Sequence, residues 1–137
     1  MAVVDASVAL KWFFRQRDDE AHTERAIALL ERIGAGQLRM VQPPHFVAEV
    51  AAVLARKQPA GARSSLLDLQ RLEWEVDESP AIYAAAFELS AALQHHLFDT
   101  LYHATALHTE GATLITADTA YYAKAHGRRG IARLQDL

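Results

Sequence analysis

AVVDASVAL, residues 2–10, runs three apolar side chains, Ala2, Val3 and Val4, straight into Asp5. LITADTAYY, residues 114–122, repeats the arrangement, with Leu114 and Ile115 leading through Thr116 to Asp118. Each stretch predicts a short strand, apolar on both faces, that ends on an acid where the chain turns into a helix. Between them helical and extended patterns alternate, which predicts an α/β domain. The expected architecture is a three-layer sandwich, a central and mostly parallel sheet flanked by helices.

Working outward from the two strands, RQRDDEA (15–21) is the polar exit of a short helix starting near Ser7. Ala26, Leu29, Leu30 and Ile33 recur at helical spacing, predicting a helix over 19–33 that Gly34 and Gly36 close. LRMVQPP (38–44) predicts a strand stopped by Pro43 and Pro44, and a helix over 45–57 follows. Further helices are expected over 62–72, from Ile82 to Leu93 and from about Asp99 to Gly111. EWEVDESP (73–80) predicts a short strand and a turn, 119–126 a helix, and 131–134 an edge strand.

At 137 residues the chain is expected to be one domain, residues 1–137, large enough to bury a core without staples. It has no cysteine, which excludes a disulfide framework, a thiolate zinc site and a cysteine nucleophile. A formal charge of −3 gives no basic footprint from which to argue nucleic-acid binding, though a local patch can sit within such a total. Asp5 and Lys11 interrupt any signal-peptide apolar region, and no run reaches membrane-spanning length, so the expected compartment is the cytoplasm.

Four acids stand out. In an open parallel sheet ligands bind beyond the carboxyl ends of the strands. Asp5 and Asp118 sit at such ends, although each is also well placed to cap the helix that follows. Glu49 lies within the apolar stripe of Phe46, Val50 and Val53, where a carboxylate needs a partner, a proton or a metal unless it reaches solvent. Asp99 opens a mostly apolar helix and again could serve as its cap. Acids gathered in one pocket repel by about 1–4 kcal/mol per close pair, and a divalent cation relieves that best. Ligation by oxygen alone suits magnesium or manganese, and these commonly act on phosphate-bearing substrates.

Four motifs in this order resemble the PIN-domain nucleases, and within them the VapC-type toxins of toxin–antitoxin pairs. They are VVDASVALKWF (3–13), PPHFVAEVAAVL (43–54), HHLFDTLYHATAL (95–107) and ATLITAD (112–118). The resemblance spans Val3 to about Tyr122, and its most telling part is the first. It implies a Mg2+- or Mn2+-dependent endoribonuclease with Asp5, Glu49, Asp99 and Asp118 as its acidic site. Asp5 and Asp99 are the expected direct metal ligands, with Glu49 and Asp118 completing the shell. Ser7 and Thr116 match small hydroxyls that orient the carboxylates. The resemblance also implies RNA as substrate, a small cognate antitoxin as partner, and a homodimer.

RNA must then bind an acidic protein. Lys11, Arg15 and Arg17 follow the first acidic turn, and Arg128, Arg129 and Arg133 gather near the C-terminus, as candidate phosphate contacts. Trp12 and Phe13 are expected in the core. The seven histidines offer no HExxH motif, and their spacing argues against a histidine metal site. His103, one turn after Asp99, is a candidate contact to substrate or antitoxin. An aspartyl phosphatase wants a second aspartate where Ser7 stands, and no P-loop, dinucleotide or serine-hydrolase motif occurs. Two rivals remain: a PIN nuclease of RNA maturation or decay, and a PIN fold kept as a binding module. The short chain favours the toxin.

Overall fold

The structure is a computed structural model describing residues 1–15 and 17–137, so the polar exit at 15–21 lies partly outside the described residues, at Gln16. The elements in chain order are β1 (Ala2–Val4), α1 (Ala6–Phe13), α2 (Thr23–Gly34), β2 (Val41–Gln42), α3 (Phe46–Lys57), α4 (Ala62–Leu69), β3 (Glu75–Val76) and α5 (Pro80–Leu93). They continue with α6 (Leu97–His108), β4 (Thr113–Thr116), α7 (Thr119–Ala125), β5 (Ile131–Arg133) and a closing 3-10 turn (Leu134–Asp136). The chain is an α/β sandwich.

Each registered strand pairing is parallel, so the sheet goes beyond the mostly parallel one expected. β1 pairs with β4, β4 with β5 and β2 with β3, while a parallel bridge from Ala2 to Met40 joins the two ladders. Past that bridge a side chain takes over from the backbone. Gln42 accepts the Val4 N–H at Oε1 and donates from Nε2 to the Val4 carbonyl, each at 2.8 Å. The strand order in space is therefore β3-β2-β1-β4-β5, with β1 central.

Ala2, Val3 and Val4 are buried in succession, as are Leu114, Ile115 and Thr116. Since alternate strand residues point to opposite faces, both faces of the sheet are covered. α1 packs on α2, α3 and β4, whereas α6 packs on β1, β2 and β4 and carries α5 on its outer side. A main core joins the sheet to α1, α2, α3 and Tyr102, and a smaller one fills the α5–α6 contact around Ile82, Ala86, Leu89 and Leu101.

Two helix starts differ from expectation. α2 begins at Thr23 rather than near 19, because His22 adopts a left-handed conformation (φ 58°) that helical backbone cannot continue through. α6 begins at Leu97, after an extended His96, so Asp99 lies inside the first turn and is not the cap. At the end of α2, Gly34 is still helical and Gly36 (φ 72°) makes the left-handed turn. No helix among the described residues is long and apolar enough to cross a membrane.

Candidate functional site

Parallel pairing brings the carboxyl ends of β1 and β4 side by side, since Val4 is registered with Ile115 and the Asp5 N–H donates to the Ile115 carbonyl at 3.1 Å. Asp5 and Asp118 therefore leave the sheet at the same edge. Both also cap their helices: Asp5 receives the Ser7 N–H at 3.4 Å and Asp118 the Tyr121 N–H at 2.9 Å. Capping and clustering are thus not alternatives here.

Two hydroxyls tie this edge together. Thr116, fully buried, donates to Asp5 Oδ2 at 2.6 Å and accepts the Asp118 N–H at 3.0 Å. Ser7 donates to the same oxygen at 2.9 Å and accepts the Ala117 N–H at 3.1 Å. Each hydroxyl spends its one hydrogen on Asp5 and is held in place by a backbone N–H of the β4–α7 turn.

The other two acids come from α3 and α6. Glu49 is half-buried and accepts the Tyr102 hydroxyl at 2.8 Å, with His45 Nε2 at 3.4 Å. His45 in turn donates to the Phe98 carbonyl at 2.8 Å, which leans the start of α3 on the start of α6. Asp99 is buried, with Oδ2 2.6 Å from His95 Nε2 and 3.0 Å from His96 Nε2.

The carboxylates feel one another. Burial pushes Asp5 up to about 6 against the pull of the Thr116 and Ser7 hydroxyls, and the charges of Asp99 and Glu49 push the same way. Burial also raises Asp99, opposed by His95 and His96 and reinforced by the charge of Asp118. At Glu49 burial acts upward, but the bonds from His45 and Tyr102 outweigh it and hold the group below its ordinary value. Burial raises Tyr102 too, and the Glu49 and Asp5 charges add to that, so its phenol keeps its hydrogen and stays a donor. The four acids thus form one electrostatic group.

None of the ion pairs among the described residues brings a lysine or arginine to any of the four. The donor set is carboxylate and hydroxyl oxygen, the hard ligands that magnesium and manganese prefer. Asp5 Oδ1 carries only the long bond from Ser7, and Asp99 Oδ1 accepts no hydrogen bond from the described residues. A cation fits this site chemically: it would meet open carboxylate oxygens and relieve the repulsion that raises Asp5.

Several expectations need correcting. Lys11 is buried and its ammonium is taken by Glu20 at 2.9 Å, so it is no free phosphate contact. Arg17 is engaged by both oxygens of Asp19 (2.9 and 2.8 Å) and lies over the Phe14 ring, and Arg133 is similarly paired with Asp136. Arg15 donates to the Trp12 carbonyl and forms no ion pair among the described residues. Arg128 and Arg129 are exposed. Trp12 is buried, bonded to the Ala26 carbonyl, as expected of a core residue. His103 is fully buried between the Tyr121 hydroxyl and the Arg129 carbonyl, both at 2.9 Å, so it cannot meet substrate or antitoxin.

Against the expectation that the histidines have no part in a metal cluster, ligand atoms of His95, His96 and Asp99 lie within 4.8 Å of one another. The sequence carried a signal for this. His95 and Asp99, like His45 and Glu49, are four residues apart, and each histidine meets its acid across the start of a helix. A cavity of about 880 Å³ lies between α1, α2, α3 and α4 and is lined by Trp12, Arg15, Arg17 and Lys57 but by none of the four site acids.

The family model for the PIN domain matches residues 2–127 of the chain. No curated protein matches it by sequence. The match takes in both strand ends, the start of α3 and the whole of α6, so every acid described above falls inside it. A match of that extent shows the family: the chain belongs to the PIN domains, which are generally metal-dependent nucleases.

Proposed function

We propose that the protein is a Mg2+- or Mn2+-dependent endoribonuclease that acts as the toxin of a VapBC-type toxin–antitoxin pair. The observation that supports the nuclease reading is the mutual electrostatic influence of Asp5, Glu49, Asp99 and Asp118, none of which has a lysine or arginine ion partner among the described residues. The toxin assignment is supported by the resemblance of the VVDASVALKWF stretch and the three motifs after it to VapC-type chains.

When bound, a divalent cation lowers the pKa of water and neutralises charge on a phosphate. Asp5 and Asp99 would hold it, with Glu49 and Asp118 completing the shell. Thr116 and Ser7 fix the Asp5 carboxylate by holding Oδ2, so its other oxygen faces the site without a strong protein bond. Tyr102 and His45 keep Glu49 ionised and oriented. Water attacks phosphorus, and cleavage leaves a 5′-phosphate and a 3′-hydroxyl. Arg15 remains a candidate contact to the RNA backbone. A small antitoxin encoded beside the gene, a homodimer and a cytoplasmic location complete the proposal.

The test is cleavage of total cellular RNA by the purified protein with Mn2+, with chelator, and with Asp99→Asn. Discrete fragments that vanish in both controls are expected. Absence of cleavage by folded, antitoxin-free protein would overturn the nuclease reading in favour of a binding module. Induced expression should arrest growth, with relief on co-expression of the adjacent antitoxin. Cleavage without arrest would point instead to RNA maturation or decay.

A further inference from the structure

His95 poses a choice. It could ligate a metal beside Asp99, as the convergence with His96 suggests, or it could serve Asp99 from behind. The hydrogen bonds decide between these. Lys124 Nζ lies 3.2 Å from His95 Nδ1 and 2.9 Å from the Gln94 carbonyl, to which it donates. An ammonium has donors only, so His95 Nδ1 accepts. The ring's hydrogen is then on Nε2, where it donates to Asp99 Oδ2 at 2.6 Å. An Nε2 that carries hydrogen has no lone pair for a metal. The tautomer that would free it puts an Nδ1–H against the ammonium.

The ring is also fixed in place. Its side chain is only 10% exposed and packs against Tyr121 (4.9 Å between centroids) and His96 (4.6 Å). The segment that carries it is tied down at both ends. Gln94 is left-handed (φ 50°), the His95 N–H donates to the Ser90 carbonyl at 3.2 Å, and the Ser90 hydroxyl donates back to the His95 carbonyl. That conformation is unfavourable for a non-glycine residue, and the surrounding bonds offset it.

We propose that Lys124 and His95 form a relay that positions Asp99 as a one-oxygen metal ligand, with His95 a positioning residue and not itself a ligand. The inference rests on the metal-dependent nuclease reading and deepens it. Lys124 stands on α7, six residues after Asp118, so one short helix starts with an acid of the site and steers a second through an imidazole. The arrangement brings a positive charge near the acids without pairing it to any of them, which leaves Asp99 Oδ1 open. Metal-ligating groups commonly depend on such outer partners.

The test is calorimetric titration of the metal-free full chain with Mn2+, for wild type, His95→Leu, His95→Gln and Lys124→Met, with a melting curve for each. His95→Leu is expected to weaken Mn2+ by about 10–100-fold. His95→Gln, whose amide can still donate to Asp99, should stay within about threefold of wild type. Lys124→Met should fall between, because the ring is then free to present either nitrogen. Equal losses in the Gln and Leu variants, together with nitrogen coupling in the Mn2+ spin-echo spectrum of wild type, would make His95 a ligand and overturn the relay. Unchanged affinity in folded Leu and Met variants would reduce it to packing. Should His95→Leu not fold, the Gln and Met variants still decide: Gln near wild type with Met weakened supports the relay, and Met equal to wild type overturns it. Failure of wild type to take up Mn2+ would overturn the parent reading and the relay with it. A relay that fails alone leaves wild-type binding intact.

Discussion

Thr116 donates its hydroxyl to Asp5 Oδ2 across 2.6 Å while holding the Asp118 N–H, so one buried side chain couples the ends of β1 and β4. Thr116→Val keeps the shape and removes both bonds, leaving the part-buried Asp118 N–H unpaired. It should cost about 1–3 kcal/mol of stability in urea unfolding. Thr116→Ser should recover most of that. If Val proves neutral, the hydroxyl is not what joins the two ends.

Asp5 makes the metal-free protein sensitive to pH in a defined direction. Its carboxyl is raised by burial from an ordinary 3.8 to about 6, so between those values the folded state binds more protons than the unfolded one. Stability contributed at this group is therefore full below about 4, falls as pH rises through about 6, and is then level. The loss is on the order of 3 kcal/mol, taking about 1.4 per pH unit. The melting temperature of wild type minus that of Asp5→Asn should decline over that window, and saturating Mn2+ should remove the decline. A flat difference would show that Asp5 keeps its ordinary acidity.

How much of this was legible in the sequence follows from how local each signal is. Asp5 and Asp118 were visible because an acid ending an apolar run has only short-range explanations, and parallel pairing of the two runs was a fold-level inference. Glu49 was visible because helical spacing put it among Phe46, Val50 and Val53. Lys11 reads as a surface cation and is instead buried. It sits within VALKWF, one turn from Val8 and beside Trp12, and its partner Glu20 is nine residues away in an irregular stretch. His95 is hard to read because its adjacency to His96 masks its four-residue spacing to Asp99. Lys124, which settles its tautomer, lies 29 residues on. Tyr102 and Gln42 carried no sequence signal, since their partners are 53 and 38 residues away.

Asp118 holds two jobs that substitutions can separate. As the cap of α7 it accepts the Tyr121 N–H, a role asparagine can fill and alanine cannot. Asp118→Asn should melt near wild type and Asp118→Ala lose about 1 kcal/mol. Both should weaken Mn2+ binding, because both remove the charge. Wild-type Mn2+ affinity in the Asn variant would confine Asp118 to capping.

The side chain of Gln42 stands in for a strand. Its amide satisfies both the N–H and the carbonyl of Val4, the residue directly before Asp5, at a place where β2 no longer does so with its backbone. Val4 and Gln42 are both fully buried, so no water can replace a lost partner. Gln42→Leu matches the volume approximately and leaves two buried backbone groups unpaired, at about 1–3 kcal/mol each. Gln42→Glu keeps the acceptor but loses the donor, and it buries a further carboxyl near Asp5. Both variants should be destabilised in urea, and amide exchange at Val4 and Asp5 should speed up more than elsewhere in β1. If exchange at Val4 stayed as slow as at Val3, the backbone of β2 would be holding the strand, and the glutamine would be dispensable to the site.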